Sequence, residues 1–210
     1  MSRTLIVLAV ALALSWACQQ QEETGTEEAP ADTAATSSAV PEPEPATDVT
    51  TPEGKIANAE SAGPEEIAEY AAIMDWPASE GGEMVALREG TNGWTCVPDD
   101  PSTPSSDPMC LDGQWLKFVE AWKSKTEPQV DGVGIGYMLQ GGDAASLTDP
   151  HATTPPEGQE WAHDGPHLMV ITPDASQLAT LTTDPAAGGP WVMWSGTPYA
   201  HIMVPVGEVE

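Results

Sequence analysis

Positive charge is nearly missing from this chain. Six Lys and Arg stand against thirty-three Asp and Glu, for a net charge of −27 over 210 residues. A surface so acidic repels phosphate backbones, which excludes nucleic acid as a partner. It repels anionic lipid headgroups as well, so any membrane attachment has to come from acyl chains. Phenylalanine is almost absent too: one Phe against eight Trp, only one of which (Trp16) lies in the first eighteen residues, leaves indole rings to carry much of the packing. Nucleophile elbows, phosphate loops and dinucleotide fingerprints are missing. "GVGIG" has the glycines of a phosphate loop, but they alternate within a strand pattern and no helix opens after them.

Long apolar runs are missing apart from Leu5–Leu14, which is too short to serve comfortably as a membrane span. With Arg3 before it, small residues after it and Cys18 at its end, residues 1–18 read as an export signal of the lipoprotein type, with Cys18 as the acylated residue. Such signals usually carry an aliphatic residue three before the Cys and a small one two before it; here those are Ser15 and Trp16. Ordinary cleavage after Ala17 is the alternative, and either route exports the protein. Of three cysteines, Cys96 and Cys110 then remain, an even pair in an oxidising compartment, and a disulfide between them is expected.

Residues 19–53 have nine acidic side chains, no basic ones, no aromatics and almost no large aliphatics. Nothing there offsets the entropy of ordering, so a disordered acidic tether is expected. Residues 54–210 form a single domain. "PEEIAEYAAIMD" predicts a helix over 64–75, with Pro64 at its first position and an apolar face of Ile67, Tyr70, Ala71 and Met74. "EMVALREGTNGWTCVP" predicts a hairpin turning at Gly90–Gly93. The Pro-, Ser- and Asp-rich segment between the cysteines predicts irregular loop. "DGQWLKFVEAWKSK" predicts a helix over 112–125, capped by Asp112, with Trp115, Phe118, Val119 and Trp122 inward. In "VDGVGIGYMLQGG" the glycines share one strand face and ask for something lying close against it. Residues 141–165 read mostly as loop, followed by strands at 167–172 and about 199–204, with a short helix or turn near 174–181 between them. The fold class is α+β: a mainly antiparallel sheet, two main helices and one disulfide.

Two phrases carry candidate chemistry, "PHLMVITP" and "AHIMVPV". Strand residues two apart point the same way, so His167 shares a face with Met169, and His201 with Met203. Neighbouring strands would bring imidazoles and thioethers together, a soft set suited to Cu(I). The plainer reading is core packing, with Met as gap-filler. His163 and His167 have a zinc-like spacing, but Gly165 and Pro166 forbid the helix that would align them; a zinc site through His151, His163 and His201, of the kind a metallohydrolase uses, has no zinc-enzyme motif behind it. Asp99, Asp100, Asp107 and Asp112 do not follow EF-hand spacing, and Asp before Pro or Ser is a common turn former.

"LREGTNGWTC", "DPMCLDG", "GIGYMLQGG", "GPHLM" and "GTPYAHIMVPV" together resemble an uncharacterised family of exported bacterial proteins, over about Trp76 to Val206. The resemblance implies export and carries no catalytic roles. The expected protein is a lipid-anchored envelope protein whose domain binds a ligand or partner, or is structural, without catalysis. Copper-type metal binding is the alternative and a histidine-based hydrolase, with zinc as the metal, the second.

Overall fold

In the computed structural model the described residues are 48–79 and 82–207. The leader, Cys18 and the tether as far as residue 47 lie outside them. The chain divides into Met1–Glu44 and Pro45–Glu210, so the domain opens before Gly54. At Asp48 the carboxylate accepts from the Thr50 backbone N–H and hydroxyl, and helix α1 (Pro52–Glu60) follows at once. The Thr51 hydroxyl accepts from Gly54 N at 3.0 Å, Pro52 sits in the first turn and Glu53 faces the positive end of the dipole.

The helix expected over 64–75 stops after one turn and gives way to a strand. Helix α2 spans only Glu65–Ala68, and β1 takes Ala72–Asp75. The reason is tertiary. Arg88 donates from Nε and Nη2 to Ala71 O (3.2 and 3.0 Å) and from Nη2 to Ala68 O, while Nη1 pairs with Glu60. Carbonyls that would have continued the helix are taken by the guanidinium, and Ala72 N turns to Trp94 O at 2.9 Å. Strand pairing on both sides of β1 then outweighs a helical apolar spacing that packs little: Tyr70 ends 51% exposed.

The hairpin is also absent. Its two strands, β2 (Val85–Arg88) and β3 (Thr95–Val97), flank β1 instead of pairing with each other, β2 antiparallel and β3 parallel. Gly90 is what lets the turn close over β1, since a Cβ there would lie 2.1 Å from Ala72 N.

The rest follows the expected order. Strand β4 (Met109–Leu111) pairs with β3 across the Cys96–Cys110 disulfide, whose cysteines are cross-strand partners. Helix α3 (Gly113–Lys123) is capped by Asp112, which accepts from Gln114 N and Trp115 N (both 2.9 Å) and, with its other oxygen, from Ile135 N at 2.7 Å. One carboxylate therefore joins helix start to sheet. Strand β5 (Gly134–Met138), β6 (Gly142–Ala144), β7 (Ala162–Asp164), β8 (His167–Ile171), β9 (Trp191–Met193) and β10 (His201–Pro205) complete the strands. Short 3-10 helices cover Ala175–Thr180 and Pro185–Ala187. Eight strands form one mainly antiparallel sheet, ordered β2-β1-β3-β4-β5-β8-β10-β9. The β6–β7 pair ties together the two ends of the long 141–165 loop. The fold is α+β, as its composition of elements implies.

The two faces of the sheet are filled differently. Near α1 and α2, Ala59, Ala62, Ala68 and Ala71 pack on Ile73 and the disulfide. On the α3 face, Leu111, Gly136, Met169, Met203 and Trp191 form one row across five strands. Gly136 supplies the clearance: a Cβ there would come to 3.0 Å from both Leu111 Cδ2 and Met169 Cε, and to 3.5 Å from the Trp115 ring. At Gly134 it would meet Ile171 at 2.7 Å and Gln114 Cβ at 2.9 Å. The alternating glycines thus serve helix and indole packing.

Candidate functional site

The two His-x-Met strands are neighbours. Strands β8 and β10 run antiparallel with Met169 directly opposite Met203. That register puts His167 level with Pro205, one step to one side of the Met pair, while His201 lies one step to the other side. The four side chains share the α3 face, with the methionines in the middle and an imidazole at each end. All four are buried, at 3% exposure for His167, 7% for Met169, 2% for His201 and 3% for Met203.

Both imidazoles are held in the same way. His167 Nδ1 lies 2.7 Å from Gly165 O and His201 Nδ1 lies 3.0 Å from Tyr199 O, in each case the carbonyl two residues earlier. A carbonyl only accepts, so Nδ1 carries the proton in both rings and Nε2 keeps a bare lone pair. Neither Nε2 has a hydrogen-bond partner. Burial drives His201 down to about 4, against the opposing hydrogen bond to Tyr199, and lowers His167 from 6.5 as well. Both rings are therefore neutral near pH 7.

Rings surround His201. Trp115, Phe118 and Trp194 stand edge-on to it at centroid distances of 5.3, 6.0 and 5.0 Å. Their polar hydrogens are committed elsewhere: Trp115 Nε1 donates to Met169 O and Trp194 Nε1 to Ser146 O. Met193 of β9 is the cross-strand neighbour of His201. Sequence reading did not attach Met193, Trp194 or Tyr199 to the site. The signal lay in "WVMW", where Trp191 and Met193 alternate onto one strand face.

The zinc set does not assemble. His163 is exposed on β7 and its Nδ1 meets Asp143 Oδ1 at 2.9 Å. His151 stacks beside Trp122 with centroids 6.2 Å apart, and His201 is in the core. Among the described residues no three His, Cys, Asp or Glu side chains are grouped so as to hold a metal ion. The aspartates of the disulfide loop bind backbone instead. Asp99 accepts from Asp107 N at 3.1 Å, and Asp107 accepts from Asp100 N at 2.9 Å, while Asp112 caps α3. Burial raises Asp107 to about 6, with the Asp99 charge adding to it against the hydrogen bonds from Asp100 and Thr103.

Two surface depressions, of ≈ 330 and ≈ 280 Å³, flank α3 and its following loop, and no histidine lines either. Compared with protein-family models, with curated proteins and with solved structures, the chain matches none of them.

Proposed function

We propose that this is an exported, lipid-anchored envelope protein of bacteria, related to the exported family its phrases resemble, whose domain binds a ligand or partner, or is structural, without catalysing a reaction. The observation that carries the non-catalytic reading is the filling of the histidine-bearing face: Trp115, Phe118 and the half-buried Trp194 stand edge-on around His201, which is buried. Export draws support from the residue pattern of 1–18 and from a buried Cys96–Cys110 disulfide, which persists in oxidising compartments. The anchor is an acyl chain on Cys18, since a surface of charge −27 gains nothing from anionic headgroups.

Labelled palmitate supplied to expressing cells tests the anchor. Incorporation that disappears in Cys18→Ala, with the protein moving from the membrane fraction to the soluble one, is the expected result. Unlabelled wild-type protein found in the cytosol with both thiols reduced rules the reading out.

A further inference from the structure

We propose that the Met169–Met203 pair, with Nε2 of His201 and of His167 on either side of it, is a binding site for a soft monovalent cation of the Cu(I) class. The inference rests on the reading of the domain as one that binds a ligand, and not on the lipid anchor. Antiparallel pairing relates the two His-x-Met tripeptides by a local twofold axis through the Met pair. Along each strand the His and Met on one face stand about 6.6 to 6.8 Å apart, so a thioether and an imidazole tip both reach the space between them. With Nδ1 bound to the carbonyl two residues back, the Cδ2–Nε2 edge of each ring is turned away from that carbonyl, and neither Nε2 has a hydrogen-bond partner.

A buried lone pair without a partner costs about 1–3 kcal/mol and asks for an explanation. Water is a poor answer at His201. A buried water needs two to four polar partners, and the nearby indole N–H groups already donate to Met169 O and Ser146 O. Calcium and zinc are poor answers as well, because among the described residues no three His, Cys, Asp or Glu side chains are grouped so as to hold them. Thioether sulfur and neutral imidazole are the donors Cu(I) prefers. The ligand set is uncharged, which favours a single over a double positive charge in so apolar a setting. An Nδ1–H held by a backbone carbonyl is also how metal-bound imidazoles are usually oriented. Of the three rings around His201, Trp194 is the one that is not fully buried.

Titration of the mature full-length protein with Ag(I), a redox-inert stand-in for Cu(I), tests this directly. Methionine methyl carbons and histidine ring nitrogens are followed by NMR. Saturation at one equivalent is expected, with the methyls of Met169 and Met203 and Nε2 of His201 shifting together. The double variant Met169→Leu, Met203→Leu conserves volume and is expected to keep the fold. Its Ag(I) affinity falls by about tenfold or more, a loss of about 1.4 kcal/mol or more. If the double variant does not fold, the wild-type shifts decide alone. No saturable binding at millimolar Ag(I), shifts at other methionines only, or unchanged affinity in the folded double variant each overturn the site. A silent titration with palmitate labelling intact removes the cation site alone, whereas loss of labelling removes the anchor and leaves the cation site standing.

Discussion

The two clusters of the core solve the same problem with opposite materials. Around α1 and β1 the interior is alanine, one isoleucine and a disulfide. Against α3 it is tryptophan, phenylalanine, tyrosine and methionine, with two histidines among them. Small side chains bring backbones close but bury little area each, so the first region leans on a covalent link and on Arg88. Large polarisable side chains bury much more area each, so the second needs neither. The two regions also treat buried polar groups differently: Asn58 and Asp107, on the disulfide side, are hydrogen-bonded, whereas the unpartnered Nε2 atoms of His167 and His201 lie on the α3 face.

The largest break in this contrast is Trp115→Ala. The ring is 3% exposed, packs on Phe118 at 4.7 Å and donates to Met169 O. Its loss is expected to cost about 3–5 kcal/mol, read from urea unfolding of the full chain. A change under 1 kcal/mol would show that the ring-rich cluster is not the main store of stability. Next comes Cys96→Ser with Cys110→Ser, expected to cost about 2–4 kcal/mol. Hydrogen exchange is expected to rise most at β1, β3 and β4 and least at β8 and β10; a uniform rise would mean that the two regions unfold as one.

Acid gives the smallest effect and sharpens the comparison most, because the two regions respond with opposite sign. Asp107, in the disulfide loop, is raised by burial from 3.8 to about 6. The folded state therefore binds the extra proton, and stability gains as pH falls from about 6 toward 3.8. His201 is lowered by burial from 6.5 to about 4, so the unfolded state takes the extra proton. Stability is lost as pH falls through that interval. Urea midpoints between pH 7 and pH 4.5 are the measurement. Relative to wild type, Asp107→Asn is expected to weaken progressively on acidification, while His201→Asn improves. Slopes of the same sign in both variants would refute the opposition.

What the sequence made legible was local. The α3 stripe, its Asp112 cap, the two His-x-Met strands and the cysteine pair all lie where pattern places them. Non-local events were not legible. Nothing near Ala72 announces that Arg88, sixteen positions on, takes the carbonyls of Ala68 and Ala71 and frees a strand there. Period-two reading assigns His167 and Met169 to one face, but register decides that methionine meets methionine while the imidazoles stay at opposite ends. Helix α1 was legible in principle: Thr51, Pro52 and Glu53 form a start signal, overshadowed by the acidic, Pro-rich composition just before it.

The strand order has a consequence for assembly. Strands from β1 to β5 join side by side in the order in which they leave a ribosome or a translocation pore, β8 adds to β5, and β9 waits for β10. No newcomer has to wedge between two partners already bonded. A chain delivered amino end first can therefore close its sulfur bridge before residues 111–210 arrive, and the Met203 side of the twofold is the last wall to go up.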